Sequence, residues 1–292
     1  MIYHFEEKQM KLENYICVGI DTETIPSQDP EFMEKIKRKA SGKVKSSGLK
    51  KPELIEALKE FYPTTGLSVA ELEVLWMEKF GGDLVMQAFE DEHRRTSFSA
   101  FDGAEFVAMS AYVFGSGQEP ASLYRWMEQG TAENNYVNSY GGPDESEMIS
   151  RFFSYLSRIN EMAMSQGKKM LLVGANHYGF DIKNLAHRAL KLGAQLPSFP
   201  LISSRYSTDL YFDIIDIMAF HDNQGRRSLD SICDFLGVET PKGDSEGRID
   251  GSMVWDIWRE GGMAGAERIA NYNKRDVLVL EPLFNKIHWL VK

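Results

Sequence analysis

Short apolar runs alternate with amphipathic stretches along much of this chain. Residues 15–20, YICVGI, and 170–175, MLLVGA, are continuous apolar runs, typical of strands buried on both faces of a sheet. Further strand patterns occur at 105–114 and, more weakly, at 121–126. The first run stops at Asp21, so we expect the first strand to end there.

Amphipathic helices are predicted between and after these strands. Apolar residues recur at helical spacing in 143–159 and 181–192. Ser228 and Gly237 suit the two cap positions of a short helix at 228–235. The last two predicted helices are 252–259 and 264–290. Buried strands alternating with helices indicate an α/β fold.

Residues 27 to about 100 interrupt this alternation. Helical patterns occur there at 53–61 and 69–80, a glycine pair follows at 81–82, and no strand is evident. We therefore interpret 27–100 as a helical insertion after the first strand of a single domain that spans residues 1–292.

Composition narrows the class of protein. With 43% hydrophobic residues in 292, the chain is expected to form a sizeable core. No apolar run approaches the roughly 18 residues that cross a bilayer, and residues 1–14 lack a secretory signal core, so no membrane association is expected. The two cysteines, Cys17 and Cys233, form neither a disulfide framework nor a zinc site, which favours a cytoplasmic location.

The net charge of −10 argues against binding nucleic acid through bulk charge. It does not exclude a nucleic-acid substrate, because bound metals can offset a carboxylate-rich pocket and local basic patches can steer a strand.

Three acidic clusters carry the candidate chemistry. Asp21 and Glu23 are two residues apart on a predicted strand and therefore point to the same face. Asp181 lies at the start of a predicted helix, and Tyr272 and Asp276 share one helix face at four-residue spacing. Mg²⁺ and Mn²⁺ prefer oxygen ligands. Four carboxylates and a phenol therefore suit two divalent ions and metal-assisted phosphodiester cleavage.

Each cluster also has an ordinary structural explanation. Asp21 and Glu23 could end a strand at the surface, Asp181 could cap a helix, and Tyr272 could be a core residue beside a solvated Asp276. Without a common site, all three explanations would have to hold independently, for motifs in this order and at these element ends. The occurrence of all three motifs together therefore favours one site.

The motifs resemble those of the DEDD superfamily of 3′–5′ exonucleases, in the group related to the proofreading domain of family B DNA polymerases. The resemblance covers residues 15–26 and about 104–284. The matching stretches are Ile20-Asp21-Thr22-Glu23-Thr24-Ile25-Pro26, Asn176 with Phe180-Asp181-Ile182, Asp250-Gly251-Ser252 with Val254-Trp255, and Tyr272 with Asp276-Val277. The tyrosine four residues before Asp276 places the chain in the tyrosine subtype. A ribonuclease H-like fold is implied, with a mixed sheet flanked by helices.

The resemblance also implies roles for these residues. Asp21, Glu23 and Asp276 would hold one Mg²⁺ or Mn²⁺, and Asp21 would bridge to a second ion assisted by Asp181. Tyr272 would position the attacking water, and a 5′-monophosphate would leave the 3′ end. Single-stranded DNA is the expected substrate, and a replication or repair protein is a candidate partner. A ribonuclease D-like exoribonuclease and a non-catalytic end-binding or scaffold protein are the alternatives.

Residues for substrate binding are predicted from the motifs and from local charge. The segment 35–51 contains eight Lys or Arg and no acidic residue, as expected of a mobile phosphate-contacting loop or of a solvated charge run. Phe180 could stack on a terminal base or pack into the core. The predicted substrate-binding residues are Thr24, Asn176, Phe180, Lys43, Lys45, Lys50 and Lys51.

Overall fold

The structure, a computed structural model, describes residues 10–127, 140–141, 143–202, 209–240 and 249–291. Residues 1–9, part of the segment 1–14 that was predicted to lack a secretory signal core, lie outside the described residues. Positions 203–208 and 241–248 lie outside them as well. Among the described helices, none combines the length and apolar character that a membrane span requires.

The chain divides into two compact units. The first comprises Met1–Ile25, Ser99–Phe101 and Glu105–Lys292, and the second comprises Pro26–Phe98 and Asp102–Ala104. The second unit overlaps most of residues 27–100, and the interpretation of these residues as an insertion into a single domain stays a prediction.

The first unit is built on a mixed sheet. The strands are β1 (Tyr15–Ile25), β2 (Glu105–Val113), β3 (Ala121–Tyr124), β4 (Trp126–Met127), β5 (Tyr140–Gly141), β6 (Lys169–Gly174) and β7 (Tyr211–Asp213). Five of them form one sheet in the order β3-β2-β1-β6-β7, and β4 pairs with β5 separately. β2 runs antiparallel to β1 and β3, whereas β6 and β7 run parallel to β1. This order and these directions are those of the ribonuclease H-like fold, which confirms the predicted fold class.

Helices cover both faces of this sheet. Among the described residues, the α-helices are α1 (Pro30–Lys43), α2 (Lys51–Leu58), α3 (Val69–Arg95), α4 (Glu145–Ser165), α5 (Asp181–Leu192), α6 (Ile214–Met218), α7 (Leu229–Leu236) and α8 (Val254–Ile287). Val18 and Ile20 of β1 point into the core shared with α4 and α5. Cys17, one position out of phase with them, packs against the core formed with α6, α7 and α8. Alternate residues of β1 therefore face different helical layers.

One element boundary differs from the sequence prediction. β1 does not end at Asp21 but continues to Ile25, because it stays paired with β2 as far as Ile25 opposite Glu105. The predicted break between the last two helices, 252–259 and 264–290, is present, because α8 is interrupted at Gly262, whose φ of 52° and ψ of −137° are not helical. A Cβ at Gly265 would lie 2.3 Å from the carbonyl oxygen of Ile257, so the chain on the two sides of the kink approaches too closely for a side chain there.

The second unit is helical. Leu54, Leu58 and Leu72 are its fully buried core, supplied by α2 and α3. Ser27 lies beside the C-terminal end of α3: its carbonyl oxygen accepts from His93 Nε2 at 2.7 Å and its N–H donates to Thr96 Oγ1 at 3.2 Å. These two hydrogen bonds therefore connect the start of the second unit to the end of α3.

Two local predictions for the second unit were wrong. Helix α1, capped by the Asp29 carboxylate, includes residues 35–43 of the basic segment, so this part is not a loop. Helix α3 does not stop at the glycine pair 81–82 but continues to Arg95. Gly81 is buried beside Met77, whose Cε would lie 3.0 Å from an added Cβ.

Candidate active site

Three carboxylates meet at the sheet surface that faces α8. Single ligand atoms of Asp21, Glu23 and Asp276 all lie within 4.8 Å of one another, and Glu23 and Asp276 are buried. Asp21 and Glu23 share this face because they are two residues apart on β1. Asp276 comes from α8, after its kink. The structure thus places together three of the four predicted carboxylates, although Asp276 is distant from the other two in the sequence.

Close packing of α8 on β1 brings Asp276 to the other two carboxylates. Gly19, two residues before Asp21 on the same face, has no side chain to separate the elements. A Cβ at Gly19 would lie 2.9 Å from Phe114 Cε1 and 3.2 Å from the carbonyl oxygen of Val277, the neighbour of Asp276. Any larger residue would force α8 away from the strand.

The fourth carboxylate reaches the cluster from the other side of β1. Asp181 is the first residue of α5 and only 2% exposed, and it accepts a hydrogen bond from Thr22 Oγ1. Thr22 lies between Asp21 and Glu23 and points to the opposite face, toward α5. Asp181 is nevertheless close enough to Asp21 that its charge raises the pKa of Asp21.

Asp21 and Asp181 have raised pKa values, so the carboxyl groups of this cluster do not all ionise readily. Burial, followed by the charges of Asp181, Glu23 and Asp276, holds the pKa of Asp21 well above its usual range. Burial also raises the pKa of Asp181 to about 6, against the lowering effect of the Thr22 hydrogen bond. Carboxylates confined together in this way require either protons or bound cations to balance their charge. Their oxygen donors match the preference of Mg²⁺ and Mn²⁺, so the residues fit a divalent metal centre.

Tyr272 places a phenol beside the carboxylates. The residue is 5% exposed, and its hydroxyl and the Asp276 carboxylate are hydrogen-bonded, as their one-turn separation on α8 allows. Burial, together with the charges of Glu23, Asp276 and Asp21, raises its pKa far above the usual range. The phenol therefore stays protonated at neutral pH and acts as a hydrogen-bond donor rather than as a base.

Asn273 is a residue of this cluster that the sequence reasoning missed. Its Nδ2 donates to Asp21 Oδ2 at 2.6 Å, and its side chain is fully buried. This hydrogen bond is the main influence that lowers the pKa of Asp21. An asparagine between Tyr272 and Lys274 on a helix gives no distinctive signal, so only the packing of α8 on β1 shows its role.

The loop before Asp181 is held by residues from two later segments. Asn176 adopts a left-handed conformation with φ of 64°. Its backbone N–H donates to Asp213 Oδ1 at 2.9 Å, and its side-chain Oδ1 accepts from Arg226 Nη2 at 2.9 Å. The predicted contact of Asn176 with substrate remains a prediction, and Arg226 is a second residue near the site that the motifs did not indicate.

Two other predicted substrate contacts adjoin the carboxylates. Thr24 is buried and follows the irregularity in pairing between Glu23 and Thr24 on β1. Phe180 is half-buried at the N-cap of α5 and is not among the described residues that pack against the main core. Its position beside Asp181 is compatible with base stacking, which stays a prediction.

The predicted basic contacts all belong to the second unit. Lys43 is the last residue of α1 and forms an ion pair with Glu92. Lys45, Lys50 and Lys51 are exposed. Their roles in binding substrate stay predictions.

Comparison with known proteins identifies the family. Residues 122–289 match the model of a family described as predicted 3′-5′ exonuclease related to the exonuclease domain of PolB. That is more than half of the 292 residues. The chain belongs to this family. The family assignment made from the motifs is confirmed, and the chain is thereby a member of a group of hydrolases.

The family match contains Asp181, Tyr272 and Asp276 but begins after β1. Asp21 and Glu23 therefore lie outside the matched segment, and the three-dimensional arrangement alone brings them to Asp276. No curated protein matches the sequence.

Among solved structures, the chain is similar to the family B DNA polymerase from the hyperthermophilic archaeon Pyrobaculum calidifontis, with 20% sequence identity and a TM-score of 0.44. The similarity covers 63% of this chain and 22% of the polymerase chain.

Proposed function

We propose that this exonuclease removes nucleotides from the 3′ end of single-stranded DNA and releases nucleoside 5′-monophosphates. The observation that carries the proposal is the convergence of Asp21, Glu23 and Asp276 within 4.8 Å, with Asp181 close enough to perturb Asp21. Such a set is unfavourable as a bare structural feature because each ionised carboxylate raises the pKa of the others.

The residues divide between two metal positions in this proposal. Asp21, Glu23 and Asp276 would hold one Mg²⁺ or Mn²⁺, and Asp21 with Asp181 would contribute to a second. When bound, the ions neutralise the carboxylates, activate water and stabilise the charge that develops on the phosphodiester. Asn273 keeps Asp21 oriented by occupying its Oδ2.

Tyr272 acts on the attacking water in this proposal. Its raised pKa keeps the hydroxyl protonated, and its hydrogen bond with Asp276 fixes the phenol next to the carboxylates. The hydroxyl thus orients water by hydrogen bonding and does not itself remove the proton. Asn176 and Phe180, in the turn before Asp181, are the proposed contacts for the terminal nucleotide.

A product ladder tests the proposal. Single- and double-stranded DNA and RNA, labelled at the 3′ or the 5′ end, are incubated with Mg²⁺ or Mn²⁺ and with EDTA. We expect 5′-labelled single-stranded DNA to shorten stepwise, 3′-labelled DNA to release labelled mononucleotide first, and EDTA to abolish both. Cleavage confined to RNA would replace DNA by RNA as the substrate. Absence of any cleavage with either ion would contradict the proposal.

A further inference from the structure

The second unit contains a groove between α1 and the end of α3 that the exonuclease site does not explain. Its volume is about 420 Å³, within the range of small ligand sites. Phe32 and Ile36 contribute apolar surface, and Thr96 lies at the α3 end. The charged residues that line it are Lys35, Lys39, Lys43, Arg95, Glu92 and Asp102. Four cations and two carboxylates give it a net positive charge on a chain whose net charge is −10.

The cations lie along one face of α1 and at the end of α3. Lys35, Lys39 and Lys43 follow each other at four-residue spacing and therefore form one stripe along α1. Arg95, the last residue of α3, lines the same groove. Like charges at this spacing repel one another along a helix. A stripe of this kind is therefore expected where an anion offsets the repulsion.

One anion within the protein offsets only part of this charge. Glu92 lies 2.8 Å from Lys39 Nζ and 3.2 Å from Arg95 Nη1, and it also pairs with Lys43. The two lysines, by hydrogen bonding first, lower the pKa of Glu92 to about 2, so it remains charged. Three cations around one carboxylate still leave an excess of two positive charges.

Donors remain available in the groove. Lys35 is exposed and forms no ion pair with any described residue. Arg95, with a side chain 72% exposed, uses one guanidinium nitrogen on Glu92, and the other N–H groups of its planar fork suit a phosphate. Glu92 holds Lys39 and Lys43 in place, so the positive surface is ordered before any ligand arrives.

We propose that this groove binds phosphodiester groups of the single strand on which the exonuclease acts. The inference rests on the proposed function for the identity of the strand, and it assigns the contact to Lys35, Lys39 and Arg95 rather than to the whole basic segment. Phosphate groups are favoured over an acidic protein segment because Lys35 and Arg95 are exposed and present hydrogen-bond donors to phosphate oxygens, whereas the apolar Ile36 is buried.

The matched comparison uses two triple variants with the same change of charge. The groove variant carries Lys35→Gln, Lys39→Gln and Arg95→Gln. The control carries Lys37→Gln, Arg38→Gln and Lys79→Gln, which are exposed residues of the same unit that do not line the groove and are not among the predicted substrate contacts. Both are made in an Asp21→Asn background, so that a fluorescein-labelled oligo(dT) is not degraded. Binding is followed by fluorescence anisotropy in EDTA at several NaCl concentrations.

We expect the groove variant to bind oligo(dT) roughly 10- to 100-fold more weakly at about 100 mM salt and the control variant less than about 3-fold more weakly. Each lost contact to a single strand lowers the salt slope of binding by about 0.7, so three contacts lower it by about 2. Equal losses in the two triple variants, or unchanged binding by the groove variant, would overturn the groove assignment. An unchanged groove variant would then leave an acidic protein segment as the candidate ligand.

A single substitution provides a test that does not depend on correct folding of the triple variant. Lys35→Glu breaks no ion pair with a described residue, and Lys37→Glu, at an exposed position of α1 outside the groove, is its control. Lys35→Glu is expected to weaken oligo(dT) binding at least about 5-fold more than Lys37→Glu does, with the same melting temperature. Equal binding by the two variants overturns the proposal.

Different experimental outcomes contradict the groove proposal and the proposed function. If the wild-type protein binds oligo(dT) through the groove and cleaves no nucleic acid in the product ladder, the proposed function falls and the groove stands. If it cleaves single-stranded DNA and the groove variant, with Asp21 intact, keeps the wild-type kcat/KM, the groove falls and the function stands. A protein that neither binds nor cleaves a single strand contradicts both.

Discussion

Asp21 and Glu92 show two opposite ways in which this protein treats negative charge. Around Glu92, on α3, two lysines and an arginine converge on one carboxylate, and the two lysines lower its pKa to about 2. Around Asp21, on β1, burial first and then the charges of neighbouring carboxylates raise the pKa. The chain has basic residues that can neutralise a carboxylate, yet the dominant neighbours of Asp21 are acidic.

This difference indicates that the charges around Glu92 have a structural role and those around Asp21 a functional one. The Glu92 cluster is complete within the protein and fastens α1 to α3. The Asp21 cluster becomes electrostatically balanced only when protons or cations from solution bind. The contrast is therefore the physical basis for assigning a metal centre to one cluster and not to the other.

Removal of Asp21 should give the largest effect. Asp21→Ala deletes the ligand shared by both proposed metal positions, and we expect cleavage of single-stranded DNA to fall by at least about 10³-fold, in the range seen when a central electrostatic group is lost. Because the substitution also relieves repulsion, the metal-free variant should melt at or above the wild-type temperature. Asp83→Ala, at an exposed position on α3, is the control and should retain full activity. Wild-type turnover by Asp21→Ala would remove the metal assignment.

The two clusters should also give opposite pH dependences of stability. The pKa of Asp181 is about 6 in the folded protein against an ordinary 3.8, so its contribution is full below about pH 4 and is lost as the pH rises through 6. At about 1.4 kcal/mol per pKa unit, the loss is roughly 3 kcal/mol. Glu92 contributes in the other direction, since its lowered pKa stabilises the fold above about pH 4.5 and this contribution is lost toward pH 2.

Urea unfolding of the metal-free protein between about pH 4 and 7 tests this expectation. The wild-type free energy of unfolding should decrease over this range, and Asp181→Asn, which cannot ionise, should remove the part that Asp181 contributes, while Asp21, whose pKa is also raised, accounts for the remainder. Parallel curves for the two proteins would show that Asp181 is ionised throughout and that the cluster is less strained than its pKa indicates.

Tyr272→Phe should have an intermediate effect on turnover. The variant keeps the buried ring and loses the hydroxyl that orients water, so we expect kcat to fall roughly 10- to 100-fold. Binding of Mn²⁺ should remain within about 3-fold of wild type, because the phenol is not a proposed ligand. If the variant instead lost its metal affinity, Tyr272 would be a structural support of Asp276 rather than a group that acts on the attacking water.

Asn273→Ala should have the smallest effect. It removes the donor to Asp21 Oδ2, and loss of a buried hydrogen-bond partner costs about 1–3 kcal/mol. The free energy of unfolding without metals should fall by that amount, and Mn²⁺ should restore part of it by binding the freed oxygen. Lys274→Ala, at the next position of α8, serves as the control. A variant as stable as wild type would mean that the contact with Asp21 is incidental.

The sequence predicted which carboxylates come together better than it predicted the elements that carry them. Periodicity placed the helix at 181–192, which matches α5 (Asp181–Leu192). The strand at 15–20 was too short because acidic residues usually mark the end of a buried strand, whereas Asp21 and Glu23 remain in the ladder with β2. Helix α1 was missed because its lysines obscure the short apolar face that contains Ile36 and Ala40.

The remaining residues around the carboxylates could not be found from sequence patterns. Gly19 matters only because α8 approaches β1 closely, and Asn273 matters only because that approach brings it to Asp21. Arg226 contacts Asn176 across 50 residues. These are contacts between elements distant in the chain, and local spacing does not encode them.

Binding of Mn²⁺ to the metal-free protein tests the central claim most directly. Isothermal titration at neutral pH should show saturable binding by the wild type and by Asp83→Ala, and loss of that binding in Asp21→Ala. Equal binding by wild type and Asp21→Ala, or no binding by either, would contradict the assignment of the carboxylate cluster as a metal centre.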